Sequence, residues 1–324
     1  MNALPKIVAI GEILVEIMAD TIGDGFLTPL ALTGPFPSGS PAIYIDQVAR
    51  LGHPCAIVSA VGADDFGRVN LDRLRQDGVD VSGIHIDAER PTGSAFVRYR
   101  ADGSRDFVFN IRHSAAGTLT TTPAMRQVLD GAGHVHVMGS SLSSDELVEM
   151  NLRAVRAVRE RGGTVSFDPN LRKELSASDN LRQAMDEILS LTNLFLPSGD
   201  EITLLTRAKT EEGAIAELLS QGVTAVAHKL GARGVRYHDP QGSRYCPAFR
   251  VEEIDPTGAG DCFGGAFTAL WLQRHPLEDA LRLASAAGAI AVTRRGPMEG
   301  ASDLATLQRF VASHEQVAHD TPAA

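Results

Sequence analysis

Several residue types and motifs that mark familiar protein classes are scarce or missing in this chain. Only three cysteines, Cys55, Cys246 and Cys262, occur in 324 residues. They are too few and too scattered for a disulfide framework, and without a C-x-x-C pair no zinc site is expected. Cys262 reads as a small packing hydrophobe. Positive charge is outweighed: 30 Lys and Arg against 40 Asp and Glu leave a net charge of −10. A nucleic-acid binder normally shows the opposite, a basic footprint. No run approaches the roughly 20 apolar residues that cross a bilayer. Residues 1–18 are broken by Lys6, Glu12 and Glu16 and lack both a basic n-region and an A-x-A site, so no signal peptide is read there. A cytoplasmic protein with no nucleic-acid or membrane partner is the expectation. Neither G-x-x-x-x-G-K-[ST] nor a G-x-G-x-x-G after the first strand occurs, which argues against P-loop and dinucleotide-binding folds. H-E-x-x-H and G-x-S-x-G are absent as well, so metalloprotease and α/β-hydrolase chemistry have no support.

What is present is an ordinary core-forming composition, with 44% hydrophobic residues. The length suits one large α/β unit with an appendage, or two domains. Strands are expected over 6–13 and 55–61, with helices over 41–51 and 68–77. The segment 28–40, rich in proline, reads as irregular or edge-like. Residues 94–110 differ in character: two two-sided strands flank Asp102 and Gly103, a turn pair suited to a hairpin. They suggest a small sheet outside the main one. Beyond about residue 128, strands over 134–138, 163–167, 193–197, 225–229 and 234–238 mostly alternate with helices. That rhythm implies a mostly parallel sheet covered on both faces. Two helices are expected over 261–274 and 278–294.

The most informative stretch is Asp255, Pro256, Thr257, Gly258, Ala259, Gly260, Asp261. Its glycines let backbone N–H groups approach a ligand closely. The helix that follows adds unpaired donors and the positive end of its dipole, a combination that stabilises an anion such as phosphate. An acid beside an anion site needs a task, and removing a proton from an attacking hydroxyl is one. This run resembles the Asp-Thr-Thr-Gly-Ala-Gly-Asp signature of the ribokinase-like (PfkB) carbohydrate kinases, with Pro256 as the departure. The resemblance implies that Asp261 is the catalytic base and that the amides of Gly258, Ala259 and Gly260 form an anion hole. It implies ATP and Mg²⁺ as cofactors. Asp255 resembles the position that supports a monovalent-cation site, with activation by K⁺ left open.

Other segments, in the family's order from about 6 to 297, extend the resemblance. Pro37, Ser38, Gly39, Ser40, Pro41 and Ala42, followed by Ala49, Arg50, Leu51 and Gly52, resemble its N-terminal glycine signature. Ser38 replaces the first glycine and Ile43 an asparagine. Gly39 and Ser40 are thereby implied sugar contacts, and Asp46 is a candidate substitute for the asparagine, with a surface role as its alternative. Glu16 stands where the family has a sugar-binding Asp; a carboxylate can accept from two neighbouring hydroxyls. Residues 61–67 resemble a V-G-x-D-x-x-G loop whose role is expected to be mainly structural. Residues 166–172 resemble an F-D-P-N-x-R strand end, implying Asn170 and Arg172 as contacts to sugar or phosphate, oriented by Asp168. Ser198 and Glu201 occupy an N-x-x-E motif linked to magnesium, and Glu201 is expected to act through water. Lys229, Gly231 and Gly234 resemble a strand-end nucleotide motif. Residues 284–296, with Ala287 and Gly288, resemble the adenine-side helix.

The fold expected from this resemblance is a ribokinase-like three-layer α/β/α unit with a mostly parallel central sheet and a small β-sheet lid. The kinase domain is set at 1–312, with lid segments at about 14–36 and 92–112, and 313–324 as a frayed tail. A homodimer made through the lid is left open. For the acceptor, Ile111 falls where sugar-acid kinases of the family carry a carboxylate-pairing arginine, and Arg112 lies one position later. On a strand that offset reverses side-chain direction, which favours a neutral sugar. Residues 34–46 look like the tagatose kinase subgroup, so tagatose or fructose leads. A 2-keto-3-deoxygluconate kinase, a nucleoside kinase using Phe96, Tyr99, Phe107 and Phe109 in its lid, and a non-catalytic sugar-responsive regulator are the alternatives.

Overall fold

Alternate residues of the first strand enter two different cores, and this sets the architecture. Ile7 and Ala9 join one buried cluster, whereas Val8 and Ile10 join another. A strand that is apolar on both faces must lie inside a sheet covered on both sides. The structure, a computed structural model, describes residues 3–102, 104–170 and 179–319. Its strands are β1 (Ile7–Ile10), β2 (Leu14–Ala19), β3 (Leu32–Ser38), β4 (Cys55–Gly62), β5 (Ile84–Asp87), β6 (Gly93–Tyr99), β7 (Arg105–Asn110), β8 (His134–Met138), β9 (Thr164–Asp168), β10 (Leu194–Phe195), β11 (Ala225–Lys229), β12 (Val235–Asp239) and β13 (Gly242–Cys246). The helices are α1 (Ser40–Arg50), α2 (Asp65–Asp77), α3 (Pro123–Asp130), α4 (Asp145–Glu160), α5 (Asp179–Ser190), α6 (Glu201–Leu204), α7 (Glu211–Ser220), α8 (Ala259–Leu272), α9 (Leu277–Val292) and α10 (Leu304–His319).

The central sheet has the order β13-β12-β11-β10-β9-β8-β1-β4-β5. From β11 to β5 its strands pair in parallel, and β12 and β13 add an antiparallel edge. One face is covered by α1, α2, α8, α9 and α10, through residues such as Ile45, Leu74, Phe267, Ala284 and Leu307. The other is covered by α3, α4, α5 and α7, through Val128, Val155, Ile188 and Leu218. Each fully buried Val, Leu, Ile or Phe side chain of this kind contributes about 1.5–3 kcal/mol. The architecture is the three-layer ribokinase-like one that the sequence implies.

A separate four-stranded sheet has the order β3-β2-β6-β7. The segment read as irregular or edge-like contains β3, an edge strand carrying Pro35 and Pro37; proline cannot donate to a ladder and is tolerated at an edge. The small sheet is tied to the core at Asp64. This residue caps α2 by accepting from Gly67 N at 2.8 Å, and it also accepts from Thr92 N at 2.8 Å, one residue before β6. The 61–67 loop is therefore a structural joint. At the other end of the chain, α10 continues through residues 313–319, which the sequence had placed in a frayed tail. Among the described residues, no helix is long and apolar enough to cross a membrane.

Candidate active site

The chain leaves β1 for β4 and β5 on one side and returns to β8 on the other, so the strand order switches between β1 and β8. Ligands of open α/β sheets bind beyond the carboxyl ends of the strands at such a point. Here Glu12, which follows β1 and is buried, accepts from Ser140 Oγ at 2.9 Å and Ser141 Oγ at 3.2 Å beyond β8. Motif reading passed over Glu12's partners, because nothing local in the sequence links it to residues 140–141.

Asp261 lies in the first turn of α8, whose N-cap is Gly258. Gly258 has φ 81°, and a Cβ there would sit 2.5 Å from the Pro297 carbonyl oxygen. Only glycine fits both demands. The turn thus leaves the amides of Ala259 and Gly260 at an uncapped helix start, since no side chain caps α8. Lys229, at the end of β11, reaches the same place: a Cβ on Gly260 would lie 3.6 Å from its Nζ.

Lys229 forms a buried ion pair with Asp168, at the end of β9. Burial alone would weaken the Lys229 ammonium's hold on its proton. The charges of Asp168 and Glu201, with Asp261 as a lesser contributor, outweigh it, and the pKa lies above that of a free lysine. The strand ends therefore bring Asp168, Lys229, Glu201 and Asp261 into one electrostatic group. Glu201 opens α6 and accepts from Ser198 N at 2.7 Å. The Lys229–Asp168 pairing was not legible in sequence, where Lys229 was read toward phosphates and Asp168 as a support for its neighbours.

The first motif acid, Asp255, is fully buried. It accepts from Thr257 N and Gly296 N, each at 3.0 Å, and from Tyr99 Oη of β6 at 2.5 Å. Burial, and then the adjacent carboxylate, push the Tyr99 phenol well above its usual range, so it remains a donor. Beside it, Arg105 of β7 donates to Thr257 Oγ1 at 2.8 Å. The small sheet thus grips the motif turn.

Strand register shows which other groups share that face. Tyr99 pairs with Arg105, Ala95 with Phe109 and with Glu16, and Glu16 with Phe36. Residues two apart on a strand point the same way. Glu16, Phe36, Phe107 and Phe109 therefore share a face with Tyr99. Glu16 is buried and accepts from Ser38 Oγ at 2.7 Å.

The remaining expected contacts fall as follows. Gly39 is the N-cap of α1 with φ 112°, and a Cβ there would meet the Glu12 carbonyl oxygen at 2.4 Å. Ser40 is the buried first residue of that helix. Asn170, in a left-handed conformation with φ 38°, donates from its backbone to Asp168 Oδ1 at 3.2 Å. Arg172 lies outside the described residues. Gly231 and Gly234 bound the turn between β11 and β12, where a Cβ on Gly234 would lie 2.2 Å from the Cys246 carbonyl oxygen. Ala287 is fully buried in α9, whereas Gly288 is half-buried and faces Ala259. Asp46 is wholly buried against Arg73 at 3.1 Å and away from a surface role; burial raises its pKa to about 8. Ile111 and Arg112 lie beyond the end of β7, in a turn closed by Ser114 N on the Ile111 carbonyl at 2.9 Å. Strand alternation therefore does not govern them; Ile111 is half-buried and Arg112 exposed. Cys262 is buried and its thiol is pushed well above its usual pKa by burial, as packing requires.

The donor set is oxygen-rich, yet no cluster of three His, Cys, Asp or Glu side chains able to hold a metal occurs among the described residues. Mg²⁺ itself keeps several waters and takes few protein ligands. Asp255 already accepts three hydrogen bonds, out of about four that a carboxylate can take, so it has little left to give a monovalent cation.

Residues 6–304 match the model of the pfkB family carbohydrate kinases. Fructokinase-1 of Oryza sativa is 33% identical over 301 residues, covering 90% of this chain and 92% of its own. An E. coli protein provisionally named ribokinase II, solved in complex with ATP and Mg²⁺, is 48% identical with a TM-score of 0.92, covering 96% of this chain and 100% of its own. A Vibrio cholerae fructokinase double mutant, solved in a form with fructose, ADP and potassium ion bound, is 26% identical with a TM-score of 0.81, covering 96% and 99%.

Proposed function

The chain belongs to the pfkB family of carbohydrate kinases and is an ATP-dependent sugar kinase, and on that premise we propose that its acceptor is a neutral ketohexose, fructose or tagatose. The observation that carries this reading is Glu16. It is a buried carboxylate with the Ser38 hydroxyl beside it, on the sheet face that grips the motif turn. Such a group accepts from the hydroxyls of a sugar. The half-buried, apolar Ile111 supports the same choice. The fructokinases among the relatives support a ketohexose.

In this reading, Asp261 takes the proton of the attacking hydroxyl, which displaces ADP from the γ-phosphoryl of ATP in line. The amides of Gly258, Ala259 and Gly260 stabilise the charge that develops on the transferring group. Gly39, Ser40 and Asn170 border the sugar, with Arg172 assigned to it from sequence. Lys229, Gly231, Gly234 and Gly288 border the nucleotide, with Ala287 packing α9 so that Gly288 faces it. Mg²⁺, when bound, neutralises phosphate charge, and Glu201 would hold it through water. K⁺ activation belongs to this reading, supported by the fructokinase solved with potassium ion bound. The small sheet acts as a lid, and its exposed Leu32 and Val108, with Leu27 in the loop between β2 and β3, support self-association.

An ATP-consumption screen over fructose, tagatose, ribose, 2-keto-3-deoxygluconate and nucleosides tests the acceptor. A ketohexose should exceed the acid in kcat/KM by about tenfold or more, the worth of one charge-assisted pair. A higher kcat/KM for the acid, ribose or a nucleoside would overturn the assignment.

A further inference from the structure

Asp255, Thr257 and the small sheet meet in a contact that the phosphoryl-transfer reading does not use. Tyr99 Oη donates to Asp255 Oδ1 at 2.5 Å, across 156 residues of chain. The same oxygen accepts from Thr257 N at 3.0 Å, and Oδ2 accepts from Gly296 N at 3.0 Å. Asp255 therefore joins three elements: β6 of the small sheet, the motif turn and the loop after α9. Arg105 repeats the link from β7, through Thr257 Oγ1 at 2.8 Å. Phe36 of β3 closes it from the other edge, since a Cβ on Gly296 would lie 2.7 Å from its ring. The residue that follows Thr257 is Gly258, the N-cap whose φ of 81° aims the start of α8. Thr257 is joined through that one residue to the Ala259 and Gly260 amides, and the Gly258 carbonyl already accepts from Cys262 N at 2.8 Å as the first bond of α8, so a shift of Thr257 is felt at the helix start.

We propose that Tyr99 is a positioning residue for phosphoryl transfer: its hydroxyl holds Asp255 so that the amides opening α8 are correctly aimed only while the small sheet is docked. Sheet docking and assembly of the amide cradle are then one event. Tyr99 touches neither reacting group; it acts through Asp255. This rests on the reading of residues 258–260 as the anion site, and not on which sugar is the acceptor. A charged acceptor makes the bond stronger than a neutral pair, and misplacement of a catalytic group by even about 1 Å can cost on the order of 100-fold in rate.

The test is Tyr99→Phe, which removes one oxygen and keeps the ring. We expect kcat with the best sugar to fall about tenfold, with KM for sugar and ATP within about twofold of the parent and the melting temperature lowered by only about 2–4 °C, the cost of one hydrogen bond to a buried carboxylate. That split separates positioning from loss of fold or of substrate binding. Deuterium uptake is read in the ligand-free protein as a second arm. Peptides spanning 255–262 should exchange faster in the variant, whereas β8 should not change. A kcat within twofold of the parent, or unchanged uptake at 255–262, would overturn the proposal. Should Tyr99→Phe fail to fold, Arg105→Gln carries the same two readouts and the same refutation. If no sugar is turned over by the parent, the acceptor reading has failed, and the exchange arm still decides the role of Tyr99.

Discussion

Replacing Asp261 with Asn separates chemistry from structure more sharply than any other single change. The side chain sits in the first turn of α8, half-buried, at the positive end of a 14-residue helix. Asn is nearly isosteric, so the packing of α8 is kept. What is lost structurally is a charge at a helix N-terminus, worth about 0.3–1 kcal/mol. Lys229 loses one acidic neighbour but retains its buried partner Asp168. The helix-dipole loss by itself lowers stability by no more than about 1 kcal/mol, a melting shift of about 2 °C in a chain of this size. The chemical loss is much larger. Asn cannot take the hydroxyl proton, and removal of a general base costs on the order of 10²–10⁴ in rate. At about 1.36 kcal/mol per decade, that is roughly 2.7–5.5 kcal/mol of activation free energy. The amides of residues 258–260 are untouched, so nucleotide affinity should survive. Steady-state ADP release with the best sugar, nucleotide titration and a thermal melt read the three quantities on one preparation. Turnover within a few-fold of the parent would show that another group is the base and would sink the mechanism.

Two further consequences concern buried charge. Lys229→Met leaves Asp168 buried, with side chains that were 11% and 3% exposed as a pair, so urea unfolding should show a loss of about 3–5 kcal/mol; a loss below about 1 kcal/mol would mean that the pair is solvated. His134 is fully buried and burial pulls its pKa down to about 3. The unfolded chain binds this proton below about pH 6.5 and the folded chain does not, so stability present above pH 6.5 is lost as the pH falls toward 3. Between pH 7 and pH 5 this one group should remove about 2 kcal/mol, seen as a smaller acid loss in His134→Gln; equal losses in both proteins would refute it.

Local patterns determined much of this protein. The glycines and acids of residues 255–261 carry their own geometry, because a turn at positive φ followed by a helix start is encoded within seven neighbouring positions. The two-sided character of 94–110 announced a second sheet, since period-two alternation is a property of each strand alone. Strand order is not local, and what depends on it was decided only by the tertiary structure. Lys229 meets Asp168 across 61 residues, Glu12 meets Ser140 across 128, and Tyr99 meets Asp255 across 156. Each pairing joins ends of elements whose neighbours are fixed by how the whole chain winds, not by any periodicity in the segments themselves. The same cause explains the misreadings. Asp46 has the spacing of a surface helix acid, yet α1 is buried nearly all round between α8 and the sheet. Ile111 was read as part of a strand, but β7 ends at Asn110, where its ladder with β6 runs out at Ser94. A side chain's pairing, charge state and direction follow from its neighbours in space, and sequence names those only where they are also neighbours along the chain.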